Sequence, residues 1–322
     1  MKNANKVSRS FQHMILLCGC LLIYYSVSAR QHKPTESGYI AQKTQGIDSD
    51  YVLIFNSYSE SAPWCRSLVD STVMDLIKLS PQTMTVTQNL NSGLLRDEKA
   101  LAQLRQQVDV SYHDKPRMII YIGSTSWPFL HETIEKKWGK VPSIIFSDID
   151  YTGPIANLLR KTPIAPALRI PYDKIVKEYE GALSVVYMPI YLRQSLALMH
   201  QLTPPMTELC FISDTRWISA QMRADMAAIT KTDFPELKVR YLISADMSTL
   251  DLLDSLQHYG QETGVLFFSW LKQSQVGDSF VNDSHFRIII SKSARQPLFV
   301  LNDNEVNTDS DVLGGYFPTR AA

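Results

Sequence analysis

Six apolar runs in this chain end in side chains able to hydrogen-bond or stack. They are Asn56-Ser57-Tyr58 after YVLIF, Gly123-Ser124 after MIIYI, Ser147-Asp148 after IIF, Ser213-Asp214 after LCFI, Ser269-Trp270 after VLFF and Asn302-Asp303 after LFVL. Trp64, Trp127 and Arg216 follow closely behind three of them. Asn and Asp supply directional hydrogen bonds, and Trp and Tyr supply apolar faces, the usual mixture in a small-molecule pocket. Arg216 with Ser213 could hold an anionic group, or pair with a surface carboxylate. Each polar residue also has an ordinary role open to it, as N-cap of the helix that follows. Trp64 and Trp217, which begin helices, have helix-to-sheet packing as theirs. Taken as a set, these residues are expected to line one cleft.

The pattern offers recognition, not catalysis. There is no G-x-S-x-G elbow. His113, His131, His200, His258 and His285 are scattered, and none follows a strand end as a catalytic base would. Gly153, Gly181 and Gly314-Gly315 form no phosphate cradle. A secreted hydrolase is therefore the weakest reading, and no cofactor is expected. No Cys-x-x-Cys or His/Cys ligand spacing points to a metal.

The elements that would position these residues alternate. Leu68–Leu79, Leu95–Val108 and Trp127–Trp138 have apolar residues at helical spacing, with Asp97 and Glu98 in the first turn of the second. Short strand-like runs lie between them at Met84–Val86, Met118–Ile122 and Ile144–Phe146. A second series follows: helix Ile190–Leu202, strand Leu209–Ile212, helix Trp217–Ile229, strand Val239–Ile243 and helix Leu250–Tyr259, which stops at Gly260. Strand Val265–Phe268, a helix within Asp278–Ser291 and strand Leu298–Leu301 complete it. Strand and helix in regular order predict mostly parallel sheets covered on both faces. The expected fold is α/β, with two doubly wound, Rossmann-like lobes and a hinge. The break falls in the proline-bearing stretch Tyr151–Pro189, with a short strand near Ala167–Ile170 and Leu298–Leu301 approaching the hinge. The expected boundaries are residues 51–170 for the N-terminal lobe and 171–322 for the hinge and C-terminal lobe.

With 322 residues, 45% hydrophobic and 20% charged, the chain can bury two sizeable cores. Lys+Arg and Asp+Glu are equal at 32 each without a basic cluster, which argues against nucleic acid as a partner. Lys2, Lys6 and Arg9 precede the apolar stretch Met14–Ala29, which ends in Val27-Ser28-Ala29. That is the pattern of a secretory signal, cleaved or retained as an anchor, over residues 1–30. Leu17-Cys18-Gly19-Cys20 resembles a lipobox, but the apolar run continues past Cys20, so export by signal or anchor is preferred. Residues 31–50 read as a polar linker. Cys65 and Cys210 are expected as isolated, buried thiols rather than a disulfide.

VLIFNSYSESAPW (Val52–Trp64) resembles the opening of extracytoplasmic sensor domains related to type I periplasmic binding proteins. These occur in bacterial two-component histidine kinases, including hybrid ones. The similarity continues through YIGSTSWPFL (Tyr121–Leu130), IIFSDID (Ile144–Asp150), YLRQSLALMHQLTPPMTELCFISD (Tyr191–Asp214) and LFVLNDNEVNTDSDVLGGYF (Leu298–Phe317). The resemblance implies a module that senses a small molecule between two lobes. Histidine-kinase or importer components would be its partners, and a homodimer is left open. Family members usually run on into a helix, a second membrane span and kinase parts. Those motifs are not in this sequence, so a C-terminally shortened member or a stand-alone binding protein of an importer is expected, and no enzyme.

Overall fold

The computed structural model describes residues 51–59, 62–203, 206–273, 280–281, 286–302 and 311–317. The expected signal, the linker and Asp303 lie outside them. The described residues belong to one compact unit, Ile47–Ala322.

The first lobe begins with β1 (Tyr51–Asn56), buried along its whole length. Such a run without alternation is what a parallel strand covered on both faces requires. Helix α1 (Pro63–Leu79) opens with proline, whose missing N–H costs nothing there. Strand β2 (Met84–Asn89) and helix α2 (Glu98–Ser111) follow, and the Asp97 side chain caps α2 by accepting from Ala100 N at 2.8 Å. Next come β3 (Met118–Ile122), α3 (Ser126–Trp138) and β4 (Ser143–Ser147). The chain then makes an excursion: β5 (Tyr151–Thr152), α4 (Ile155–Arg160), β6 (Ile170–Pro171) and α5 (Tyr172–Glu178), with β5 and β6 paired antiparallel. It returns as β7 (Leu183–Tyr187), which pairs parallel with β4 from Ser143↔Leu183 to Ser147↔Tyr187.

That return corrects the expected boundary at residue 170. The first lobe keeps the chain through Tyr187, because β7 is the edge strand of its sheet. The alternating burial of LSVVY resembles any half-covered strand, so only the pairing assigns it.

The second lobe holds α6 (Leu192–Leu202), β8 (Glu208–Ser213), α7 (Trp217–Asp233), β9 (Lys238–Ile243), α8 (Thr249–His258) and β10 (Thr263–Phe267). A capping box between Ser248 and Asp251 starts α8. Beyond β10 come the small antiparallel pair β11 (Lys272–Gln273) and β12 (Phe280–Val281), then α9 (Phe286–Ser293), β13 (Leu298–Val300) and β14 (Val312–Gly314). The helix expected within Asp278–Ser291 is α9, which runs two residues past Ser291. Strand β13 sits inside the second sheet, between β10 and β14.

The two sheets are separate and share one plan. The first runs β2-β1-β3-β4-β7 and the second β9-β8-β10-β13-β14, all parallel. In each lobe the first strand lies second from one edge, with the second strand outside it and the rest on its other side. The order thus reverses between the first and third strands, β1/β3 and β8/β10. Crevices at such reversals, beyond the carboxyl ends of the strands, are where open α/β sheets bind ligands.

Along β8, Leu209 and Phe211 join the core that continues from the first lobe, while Cys210 and Ile212 join a second cluster with Leu252, Leu256 and Ile290. The period-two alternation of a strand divides them between the sheet's faces. Cys65 and Cys210 are both free and buried.

Candidate functional site

At the first reversal, Ser57 N donates to Ile122 O at 2.8 Å and prolongs the β1–β3 pairing. The Ser57 hydroxyl accepts from Ser126 N at 2.9 Å and Thr125 N at 3.3 Å, so it caps α3 from a neighbouring strand. Gly123 makes this contact feasible. Its φ is +87°, and a Cβ there would lie 2.8 Å from Ser57 Oγ. Asn56 is likewise engaged: Nδ2 donates to Asn89 Oδ1 at 2.7 Å, and its Oδ1 accepts from Tyr58 N at 3.3 Å. Asn56, Ser57 and Gly123 therefore build the loops. Tyr58 and Ser124 are left at the junction, their hydroxyls 3.4 Å apart.

At the second reversal Asp214 is fully buried and richly satisfied. It accepts from Arg216 N at 2.9 Å, Arg216 Nε at 2.8 Å, Ser219 Oγ at 2.5 Å and Ser269 Oγ at 2.8 Å. Arg223 Nη1 donates to Ser213 Oγ and to Asp214 O, each at 2.8 Å. Ser219 and Arg223 were not singled out from the sequence. The signal was present: positions 216, 219 and 223 recur at the three- and four-residue spacing that shares one helix face.

The two reversals meet. The Arg216 guanidinium lies over the Tyr58 ring, 4.7 Å from its centroid. Across this junction Arg216 also acts on Asp148 and Cys65. Burial pushes the thiols of Cys65 and Cys210 well above the ordinary range. Burial also lifts the Asp148 carboxyl from the ordinary 3.8 to about 6, against the pull of its own backbone N–H, Arg216 and Ser124. Asp148 Oδ1 is sealed from solvent and has no hydrogen-bond partner among the described residues.

The excursion between β5 and β6 docks on α7 of the second lobe. Gln221 Oε1 accepts from Ile164 N at 2.8 Å, Trp217 Nε1 donates to Thr162 O at 3.1 Å, and Arg169 pairs with Asp225 at 2.9 Å. It brings Tyr151, Thr152 and Tyr172 close to Asp148. No motif in the sequence marks these three residues, because their association depends on the β5–β6 pairing. Lys161, at the end of α4, is half-buried; burial and Arg96 lower its pKa, against an opposing pull from Asp214.

Of the expected site residues, the junction gathers Tyr58, Ser124, Asp148, Asp214, Arg216 and Ser269, with Asn56, Ser57, Gly123 and Ser213 supporting them. Trp127 is a correction. Its ring stacks on His131 at 3.9 Å and meets the edge of Tyr172 at 6.2 Å, so it packs behind the junction. Trp270 is another: it lies in the second lobe's core, where its indole N–H donates to Thr249 Oγ1 at 3.2 Å. Trp64 is half-buried against the core of the first lobe. Both corrections have one cause: a large apolar ring next to a strand end gains more by filling the layer between helix and sheet than by facing the crevice. Among the described residues no group of three or more His, Cys, Asp or Glu is placed to hold a metal ion.

No protein-family model matches the chain, and no curated protein matches it in sequence. Solved structures resemble it in fold. A conserved domain protein from Vibrio cholerae shares 8% identity at a TM-score of 0.47, over 80% of this chain and 76% of that one. A fatty acid ABC transporter substrate-binding protein from Thermomonospora curvata shares 10% at 0.46, over 79% and 58%. An ABC sugar transporter subunit from Rhodobacter sphaeroides shares 11% at 0.46, over 81% and 83%.

Proposed function

We propose that this chain is an extracytoplasmic receptor that takes a small molecule between its two lobes. The observation that carries the reading is the junction of the two strand-order reversals, with Arg216 of one lobe 4.7 Å above Tyr58 of the other. Two crevices of the kind that bind ligands thus share one mouth. A ligand there works by favouring one arrangement of the lobes, and only to the extent that it contacts that arrangement better than the other.

The sensing role, as the ligand-binding part of a two-component system, rests on the resemblance carried by Val52–Trp64. Export rests on the charged start and the apolar Met14–Ala29 segment. The solute-binding protein of an importer has the same fold and site and differs in what the chain is attached to. Among the described residues no helix is long and apolar enough to cross a membrane.

Thermal-shift screening against sugars, amino acids, nucleosides and organic acids tests the binding role. A true ligand at a hundred times its Kd stabilises the native state by about 2.7 kcal/mol, a rise of several degrees. A flat response across all four classes would overturn the reading. Alkaline phosphatase fused after Asp50 should be active if the chain is exported. Retention of the full chain in the membrane fraction supports the sensor, and release into the periplasm supports the importer.

A further inference from the structure

Beyond β4 the chain seals four polar atoms away from solvent with no hydrogen-bond partner among the described residues. They are Asp148 Oδ1 and the hydroxyl oxygens of Tyr151, Thr152 and Tyr172. Native interiors leave few such atoms unpaired, so a group of them needs an explanation. These four share a neighbourhood. Asp148 acts electrostatically on both tyrosines, and the Ser147 and Thr152 hydroxyls lie near enough to that of Tyr172 to interact weakly with it, so Asp148 Oδ1 and the Tyr151 hydroxyl are the two atoms most in need of a partner. The side chains are also held in place. Tyr172, Thr152 and Tyr151 are 0%, 4% and 7% exposed. Arg169 covers the Tyr151 ring at 4.4 Å, and Trp127 meets the edge of Tyr172.

Charge narrows what could satisfy them. Among the described residues Arg216 is the one cation acting on Asp148, and its guanidinium is bonded to Asp214 at 2.8 Å. Among the described residues Asp148 therefore has no cation to itself. Water or a sugar hydroxyl would fill the hydrogen bonds and leave that charge bare. An alkylammonium brings three donors, no acceptor and one positive charge, which complements a carboxylate oxygen accompanied by hydroxyl oxygens.

We propose that the ligand carries a protonated amine seated on Asp148, its two remaining N–H groups donating to hydroxyls among Tyr151, Thr152 and Tyr172. The proposal rests on the reading that a small molecule binds between the lobes, and it adds that molecule's chemical class. The ring of Tyr151 already has Arg169 on its face and that of Tyr58 has Arg216. Recognition therefore goes through the oxygens and not through cation–π contact.

Titration calorimetry on the purified chain tests it. The amine probes are the L-amino acids, γ-aminobutyrate, putrescine and glucosamine; the amine-free probes are glucose, ribose and succinate. At least one amine should bind, and its N-acetylated form should bind at least ~100-fold more weakly, as expected when a buried charge loses its partner. Asp148→Asn, which keeps the side chain's shape, should weaken the amine to the same extent while its melting temperature stays at or above the wild-type value. Tyr172→Phe, which removes one hydroxyl only, should cost about fivefold. If only amine-free probes bind, or if acetylation or Asp148→Asn leaves affinity unchanged, the amine proposal is wrong and the two-lobe binding reading stands. If neither class of probe binds, both are wrong.

Discussion

The dipeptide Ser-Asp ends a strand in each lobe, and the two copies meet opposite fates. Ser213-Asp214 closes β8, and Asp214 accepts from Arg216, Ser219 and Ser269, with Arg223 gripping Ser213 and the Asp214 carbonyl beside it. Ser147-Asp148 closes β4, where the Ser147 hydroxyl accepts from Ile149 N and one Asp148 oxygen is sealed in without a hydrogen-bond partner among the described residues. The first aspartate is a structural member of its lobe. The second keeps an oxygen that the proposed amine would satisfy. A carboxylate after a strand therefore cannot be assigned by type or position. Its hydrogen bonds have to be accounted for one by one.

The contrast breaks most visibly if Asp214 proves dispensable. Asp214→Ala takes the carboxylate away from a buried guanidinium and two hydroxyls, so it should destabilise the fold by about 3–5 kcal/mol in urea titration. Asp148→Ala should cost far less. Equal losses at both positions would show that the two aspartates do the same work.

Asp148 sharpens the contrast through pH. Its folded pKa is raised by burial to about 6, above the ordinary 3.8, so between those values the folded state holds a proton that the unfolded chain has released. The stability this group contributes is complete below pH 3.8 and lost as the pH rises through 6, about 3 kcal/mol in all. Asp148→Asn should remove that slope and raise the melting temperature of the ligand-free chain at pH 7–8. A mutant whose pH profile runs parallel to wild type would contradict the burial of this carboxyl.

A smaller effect is expected where the lobes touch. Arg216→Lys keeps the charge but loses the planar contact on Tyr58 and the directed Nε bond to Asp214, a loss of about 1–2 kcal/mol. Measured again in an Asp214→Asn background, the same substitution should cost less, because the shared partner is already weakened. The smallest difference concerns the thiols, one in each lobe. Burial raises both, Cys210 to about 12, so neither Cys65 nor Cys210 should be alkylated in the native chain at neutral pH, and both should be in denaturant. Peptide mapping after alkylation reads this directly, and labelling of one thiol alone would reveal a looser lobe.

Much of this was legible locally. The fully apolar YVLIF, the helical spacing of Leu101, Leu104 and Val108, and the regular alternation of the two types of run specify a parallel α/β fold. Each such element reports its own burial through its own residues. Among the strand ends, Tyr58, Ser124, Asp148, Asp214, Arg216 and Ser269 converge in the fold, and that they serve a ligand is the proposal made above. Three things were not legible. Strand β7 belongs to the first sheet only through its register with β4, each residue pairing with one 40 positions earlier in the chain. Trp127 and Trp270 took places in the layers, because packing against partners remote in sequence decides which way a ring turns. The fates of Asp148 and Asp214 were set by groups such as Ser269, 55 residues beyond Asp214, which the fold brings to one carboxylate and not to the other. A sequence fixes which atoms can hydrogen-bond; only the folded chain determines which of them are left without a partner.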